Sequence, residues 1–347
     1  MSDEDNTRVP VYHHQDYEKE TQTPGHPESP RRVKAIMDRI EEMGLPVEVI
    51  SPGPASEEDI SSTHSKNHID KIRDFGVGFM DPDTYHHDGT YAYSLMAAGG
   101  AIEAALDAYD NRRATFAMIR PPGHHAGYDF NMGFCYFNNI SIATKHLMKN
   151  RSELERIAIV DIDAHHGNGT DQIFQSDPAV LYISTHQWGI FPGTGHEKET
   201  GYGYGGGRTV NLPFRGGTGD PTYGSTWDEI MEPVLRQFQP QMILVSMGAD
   251  AHLMDPLTGL TLSSNGYRGL LRGLFDISSD LTGGRMMFTL EGGYHLDALA
   301  ETFADAINMA SGSDTDFDLR YNDTREMGVD KRRIRDFLDI QASYWGL

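Results

Sequence analysis

Residues 157–170 read IAIVDIDAHHGNGT, an apolar run that passes directly into aspartates, histidines and glycines. A short run rich in Ile and Val, bounded by turn residues, is typical of a strand buried on both faces of a parallel sheet. In such sheets functional side chains collect beyond the carboxyl ends of the strands. This stretch therefore predicts an α/β fold and also the place in it where chemistry should lie.

The same strand-like pattern recurs along the chain. Apolar runs predict further strands at residues 116–119, 180–184, 242–246 and 286–290. Stretches with helical spacing of apolar residues lie at 30–43, 92–109, 138–149, 222–238, 264–281 and 297–309. Strands that alternate with helices predict a mostly parallel central sheet with helices on both faces. We find no internal repeat and no long linker, so we expect one domain.

Composition limits the classes of function. The single cysteine, Cys135, excludes an intramolecular disulfide framework and a cysteine-based zinc ribbon, so oxygen and nitrogen would have to hold any metal. The net charge of −22 argues against stable nucleic-acid binding. Eight lysines stand against twenty-one arginines, a balance that fits either a protein adapted to high salt or an ordinary acidic enzyme.

The chain carries no targeting signal that we can identify. No apolar run reaches the roughly 18 to 20 residues needed to span a bilayer, and the acidic residues 1–5 do not resemble a secretory signal. We therefore expect a cytoplasmic protein without membrane contact.

Three predicted strand ends are polar, at residues 120–127, 160–170 and 245–250. Side chains two apart in an extended segment share a face, so Asp161, Asp163 and His165 should project together. If Asp250 joins them from a neighbouring strand, two carboxylates and an imidazole can hold a divalent ion and leave a position open for water.

Each of these clusters has an ordinary alternative. Aspartate and histidine at a strand end often cap a helix or form structural hydrogen bonds, and His124-His125 could be incidental among 16 histidines. Burying three such clusters unpaired in one sheet would cost several kcal/mol. Their conjunction favours a metal site.

Six motifs stand in order along the chain: PPGHH (121–125), GFCYFN (133–138), DIDAHHGNGT (161–170), FPGTG (191–195), GAD (248–250) and EGGY (291–294). This set resembles the signature of the histone deacetylase superfamily over nearly the whole chain, from His26 onward. Asn168 and Glu291 resemble the class II branch, which includes acetylpolyamine amidohydrolases and microbial relatives. The resemblance implies a single-domain arginase/deacetylase-like fold over residues 1–347. Residues 1–25 would be an N-terminal extension or loop, 26–310 the catalytic core, and 311–347 a C-terminal loop and helix.

The resemblance also implies individual roles. One Zn²⁺ per subunit would be held by Asp163, His165 and Asp250. The catalytic residues would be His125 as general base and then acid, His124 beside the metal-bound water, Asp161 orienting His124, Asn168 behind His125, and Tyr294 donating to the acetyl carbonyl. An amide in place of a carboxylate at Asn168 should leave His125 less basic.

The implied chemistry is hydrolysis by a metal-activated water, because zinc and Tyr294 would together withdraw charge from a poorly electrophilic carbonyl. Cys135 could be proposed as a nucleophile instead. It has no evident base nearby, and we interpret it as a small buried hydrophobic residue.

Further implied features concern the tunnel and monovalent cations. Phe134 and Phe191 resemble the aromatic pair that lines the family's substrate tunnel, with Gly133 giving the substrate close approach to the backbone. The family also implies K⁺ or Na⁺ at two sites. The first would use the side chains of Asp161 and Ser184 with carbonyls of Asp163, His165 and Thr185, and the second carbonyls of Phe174, Asp177 and Val180.

The substrate is the least determined feature. Leu257 aligns with a glutamate gate of polyamine-specific relatives, which favours acyl-lysine over acetylpolyamine. In the loop at 81–90, Asp81, Asp83 and Asp88 are each candidates to contact the substrate, and His86-His87 is expected at the loop surface.

We therefore expect a zinc-dependent deacetylase that releases acetate from an acetylated protein lysine or small acetylated amine. The alternatives are an acetylpolyamine amidohydrolase, an arginase-like binuclear hydrolase, for which bridging carboxylates are lacking after His165, and a non-catalytic acyl-lysine-binding protein. The resemblance leaves a homo-oligomer open.

Overall fold

A computed structural model describes residues 8–19, 22–313 and 318–347. In these residues an eight-stranded, fully parallel sheet has the order β2-β1-β5-β10-β9-β6-β7-β8, and β3 and β4 form a small antiparallel hairpin. The strands are β1 (Val9–Tyr12), β2 (Val47–Ile50), β3 (Gly78–Phe79), β4 (Tyr85–His86), β5 (Ala114–Ala117), β6 (Ile157–Asp161), β7 (Val180–Gln187), β8 (Thr209–Phe214), β9 (Met242–Met247) and β10 (Met286–Leu290).

Helices cover both faces of the sheet. They are α1 (Arg31–Glu42), α2 (Glu57–Ser61), α3 (Lys66–Asp74), α4 (Thr90–Asn111), α5 (Asn139–Asn150), α6 (Asn168–Phe174), α7 (Asp220–Thr226), α8 (Glu232–Phe238), α9 (Ser264–Thr282), α10 (Leu296–Ala310) and α11 (Lys331–Gln341). Short 3-10 turns lie at Gln15–Glu18 and Gly203–Gly205.

The central strands build two hydrophobic cores, one on each face. Along β6, Ile157 and Ile159 pack into one core, while Ala158 and Val160 pack into the other. Because successive side chains of a strand point to opposite faces, a strand between two helical layers has to be apolar at every position. This explains the continuous apolar run of residues 157–160.

The predicted fold class is confirmed, and the five predicted strands lie within or overlap β5, β6, β7, β9 and β10. The predicted helix at 222–238 is helical without interruption from Asp220 to Phe238, with a π-helical turn at Trp227–Met231 between α7 and α8. The edge strands β2 and β8 were not predicted.

The interpretation of residues 1–25 as an extension or loop is wrong for β1. This strand lies inside the sheet between β2 and β5, and Val9 and Val11 are buried in a core. Four residues with Pro10 among them gave too little signal for a strand, since proline is rare inside sheets. The acidic residues 1–5 lie outside the described residues. In the part of the chain that the structure describes, no helix is long and apolar enough to cross a membrane.

Candidate active site

Four adjacent strands, β5, β10, β9 and β6, end side by side and deliver the polar residues of the site. The chain after β5 carries His124 and His125, and the chain after β10 carries Tyr294. Asp250 follows β9, while Asp163 and His165 follow β6. Since the strands are parallel, all four loops leave the same edge of the sheet, as expected for an α/β site.

The three residues predicted to ligate a metal lie together. One potential ligand atom from each of Asp163, His165 and Asp250 lies within 4.8 Å of the others. His165 Nδ1 is 2.9 Å from Asp250 Oδ2 and 3.1 Å from Asp163 Oδ1. The backbone holds both carboxylates, because Gly292 N donates to Asp163 Oδ2 at 2.7 Å and Ala164 N to Asp250 Oδ1 at 2.8 Å.

These groups attract positive charge. Burial acts to lower the pKa of His165, but Asp250 and Asp163 raise it well above its usual range. Two nearly fully buried carboxylates and an imidazole around one point are therefore stable only with a cation, either a proton or a metal ion. Oxygen and nitrogen donors in this number fit Zn²⁺ with a position left open.

The tandem histidines have different partners. His124 Nδ1 is 3.1 Å from Asp161 Oδ2, and His125 Nδ1 is 2.8 Å from Asn168 Oδ1. An amide oxygen only accepts, so His125 must donate from Nδ1, which leaves the lone pair on Nε2. Asn168 Nδ2 donates in turn to the sulfur of Met132 at 3.2 Å, which fixes the direction of the amide.

Their protonation differs accordingly. Although burial acts to lower it, Asp161 and Asp163 raise the pKa of His124 to about 10. Burial and the neighbouring His124 and His165 lower the pKa of His125 well below its usual range. These shifts favour the protonated form of His124 and the neutral form of His125, which is the form that can act as a base.

Tyr294 faces the same cavity. Burial raises the pKa of its phenol well above the usual range, so the hydroxyl remains a hydrogen-bond donor. Its backbone N–H donates to Asp255 Oδ2 at 2.8 Å, and Asp255 Oδ1 accepts the N–H of Leu257 at 2.9 Å. The Arg32 guanidinium carbon lies 5.0 Å from the centre of the Tyr294 ring. Both contacts fix the position of the phenol.

A cavity of about 170 Å³ joins these groups to the surface. It is lined by Asp83, Pro122, His124, His125, Gly133, Phe134, Asp163, His165, Phe191, Leu257, Gly292 and Tyr294. At Gly133, which has φ +57°, a Cβ would lie 2.4 Å from His125 Cδ2 and 2.8 Å from Phe191 Cε1. Only glycine keeps this cavity open at that point.

A sequence model of the Histone deacetylase domain matches residues 26–310. A probable deacetylase of Archaeoglobus fulgidus is 42% identical over 312 residues, covering 88% of this chain and 86% of that protein. The chain belongs to the histone deacetylase family. Members of this family are named deacetylases or amidohydrolases, and the chain is accordingly a hydrolase of this family.

A further relative and a solved structure cover most of this chain. The histone deacetylase-like amidohydrolase of Pseudomonas aeruginosa is 37% identical over 279 residues, covering 78% of this chain and 73% of that protein. The crystal structure of the HDA15 HD domain has a TM-score of 0.86 and 30% identity, with 97% of each chain covered. The arginase/deacetylase-like fold is therefore confirmed.

Other predicted site residues lie beside the cavity. Asp161 is outside the three-residue metal group, and its Oδ2 accepts from Tyr182 OH at 3.0 Å as well as contacting His124. Cys135 is buried, its Sγ contacts the carbonyl of Gly133 at 3.3 Å, and burial raises its thiol pKa well above the usual range. These surroundings oppose a nucleophilic thiolate.

The three candidate aspartates of the loop at 81–90 lie in different surroundings. Asp83 lines the cavity, whereas Asp81 accepts the backbone N–H groups of Asp83 and Thr84, and Asp88 is exposed. The expectation of a surface position is wrong for His86, which is buried with its Nε2 2.8 Å from the carbonyl of Ile72. His86 lies on β4, and the packing of this hairpin was not visible in the sequence.

The monovalent cation sites remain predictions. Ser184 lies opposite Asp161 in the sheet register, and its hydroxyl is 2.9 Å from His186 Nδ1. Thr185, next in the chain, is buried. At the second site the Phe174 carbonyl accepts the Asp177 N–H at 2.8 Å, and the neighbouring Val180 begins β7.

The sequence analysis assigned no role to two buried carboxylates at this edge of the sheet, although it named Glu291 as a class II feature. Asp255 connects Leu257 to Tyr294, and Glu291 contacts the loop that holds the tandem histidines. Glu291 directly follows a predicted strand, and polar residues at the ends of predicted strands were already considered candidate site residues.

Proposed function

We propose that this protein is a zinc-dependent deacetylase that hydrolyses the acetyl amide of acyl-lysine-like substrates and releases acetate. One observation carries the proposal: Asp163 and His165 line the same cavity as His125 and Tyr294, and Asp250 completes the metal-ligand group. A structural metal site would have no need of a base, a donor and a tunnel beside it.

Asp163, His165 and Asp250 would hold the zinc. Zinc, when bound, supplies Lewis acidity toward the carbonyl and makes water acidic enough to react near neutral pH. The buried carboxylates need no rearrangement to bind it, because Gly292 N and Ala164 N already fix them.

The side chains of this chain perform the proton transfers. His125 Nε2 takes a proton from the attacking water and delivers it to the amine nitrogen as the C–N bond breaks, so that amide and water become acetate and amine. Tyr294 donates its hydroxyl to the acetyl oxygen while negative charge develops there. The ring centre of His124 lies 4.0 Å from that of His125, so a protonated His124 would stabilise the same charge.

The tunnel favours an uncharged stem. Phe134 and Phe191 offer apolar walls for the four methylenes of an acylated lysine, and Leu257 at the mouth cannot attract an ammonium. Asp83 can accept a backbone N–H of a peptide substrate. Its negative charge also supports the alternative substrate, an acetylpolyamine, because a carboxylate attracts a distal ammonium.

The test is a comparison of substrates. The purified protein would be assayed with acetyl-lysine peptides, acetylspermidine and longer acyl-lysine peptides, each with and without a chelator followed by added Zn²⁺. We expect hydrolysis of acetyl-lysine to exceed that of acetylspermidine, to stop with chelator and to return with zinc. Preference for acetylspermidine would favour the alternative, and full activity of metal-free protein would contradict the proposal. Binding of acyl-lysine without hydrolysis would favour a non-catalytic protein.

A further inference from the structure

Glu291 is a fully buried carboxylate immediately after β10. Its Oε2 accepts two backbone N–H groups, from Gly123 at 2.8 Å and from His124 at 3.2 Å. Its Oε1 accepts the hydroxyl of Ser246, on the neighbouring strand β9, at 3.2 Å. One side chain thus connects β9, β10 and the loop after β5.

Glu291 binds the backbone at the start of the segment that carries the tandem histidines, here called the histidine loop. The carbonyl of His124 accepts N–H groups from Gly169 and Thr170, at 3.1 and 3.2 Å, so it is tied toward α6. The two N–H groups on the opposite side of the loop are tied to Glu291. Without this acceptor, the N–H groups of Gly123 and His124 would be buried without a hydrogen-bond partner, and both histidine rings could shift.

The hydrogen-bond partners of the Glu291 side chain need an acceptor but need no negative charge. Its side-chain partners among the described residues are two amides and a hydroxyl, none of them cationic. Burial raises its pKa to about 7, although the positive charge of nearby His124 acts to lower it. A glutamine could satisfy every contact, because its oxygen can accept both N–H groups while its NH₂ donates to Ser246 Oγ.

We propose that Glu291 is the positioning residue of the tandem histidines, and that it acts through the placement of its acceptor oxygen and not through its negative charge. This inference rests on the proposed deacetylase function. It predicts an unusual order of activity, in which a neutral residue of the same length is better than a charged residue one methylene shorter.

The experiment compares Glu291→Gln and Glu291→Asp by kcat and KM on an acetyl-lysine peptide, with zinc content and thermal midpoint measured in parallel. We expect Glu291→Gln to stay within about 3-fold of wild type. In Glu291→Asp, kcat should fall by about 10- to 100-fold with KM within about 2-fold, because misplacement of a catalytic group by about 1 Å can cost that much. If Glu291→Asp does not fold, Glu291→Met fills the space without an acceptor and should show the same loss.

Glu301 provides a matched control. It is also buried, and it also accepts a serine hydroxyl, from Ser264, and a backbone N–H, from Arg320, but on α10 away from the cavity. Glu301→Asp should leave kcat within about 2-fold of wild type. An equal loss of kcat in this control, or Glu291→Asp as active as Glu291→Gln, would overturn the inference alone. A wild-type protein inactive on every acyl amide would overturn the proposed function as well.

Discussion

The floor and the rim of the cavity are built differently. The floor consists of Asp163, His165, His125 and Tyr294, with Asp250 completing the metal-ligand group, and these residues follow four adjacent strands and are largely buried. Each floor carboxylate accepts a backbone N–H from a neighbouring loop. Side chains fixed in this way can stabilise a transition state without rearrangement, so changes in the floor should affect kcat.

The rim comprises Asp83, Phe191 and Leu257, which line the same cavity from loops. Phe191 is 38% exposed and Leu257 is 43% exposed, and water therefore competes for every contact that they make. Changes in the rim should affect KM and the choice of amine, with smaller factors. The exposed rim residues can therefore change to accept a different amine, while the buried floor retains the same reaction.

The largest effect is expected from Asp250→Ala. Loss of one of three ligands should remove zinc and lower kcat/KM by about 10³-fold or more, because the metal accounts for several kcal/mol of transition-state stabilisation. Metal analysis of the purified variant and an assay with added Zn²⁺ would measure both. The control is Asp305→Ala, which removes an equally buried carboxylate that pairs with Arg268 and should retain the metal. Full zinc content in Asp250→Ala would contradict the assignment.

Tyr294→Phe should separate donation from metal binding. The variant keeps the ring and its contact with Arg32 but loses the hydroxyl, so kcat should fall by about 10²- to 10³-fold while zinc remains bound. His125→Ala should likewise retain zinc and lose turnover. Steady-state kinetics with metal analysis checks both, and unchanged kcat in either variant would argue against the role given to that residue.

Asp83→Asn should act on KM for peptides. Burial and the neighbouring Asp81 raise the pKa of Asp83 to about 6, so the carboxylate is neutralised as the pH falls through that value. KM of the wild type should therefore rise below about pH 6, and the variant should show a KM raised by about 5- to 10-fold that no longer changes there. Asp88→Asn, in the same loop but exposed, is the control. An identical pH profile in Asp83→Asn and wild type would exclude this contact.

Leu257→Glu should have the smallest effect, on substrate choice. A carboxylate at the mouth should raise kcat/KM for acetylspermidine relative to an acetyl-lysine peptide by about 5-fold, a modest factor because the position is exposed to solvent. Leu257→Gln, polar but uncharged, should leave the ratio unchanged. The two variants would give the same ratio if charge at this position played no part, and raised ionic strength should reduce the gain.

The metal-ligand part of the floor could be predicted from the sequence, because Asp163, His165 and Asp250 follow apolar runs, whereas the roles of His125 and Tyr294 came from the family resemblance. The central strands needed apolar residues on both faces, and the chemistry had to begin where those runs ended. The rim could not be resolved in the same way. Whether Asp81, Asp83 or Asp88 reaches the cavity depends on the β3–β4 hairpin. Its strands are only two residues long, too short to show a periodic pattern in the sequence.

Contacts between a side chain and a distant backbone were also invisible. Asp255 lies 39 residues from Tyr294 and Glu291 lies 168 residues from Gly123, and neither pair forms a local motif. β1 was missed for a related reason, since its burial comes from neighbours on both sides and not from its own four residues.

One buried guanidinium has a consequence for how this protein can be shortened. Arg120, just ahead of the histidine loop, donates to the backbone carbonyls of Tyr17 and Lys19 at 2.6 and 3.1 Å, and to Glu28. A truncated version that starts at the family match, residue 26, would strip two acceptors from a cation that has no access to water. Expression trials aimed at a minimal enzyme should therefore start upstream of Val9.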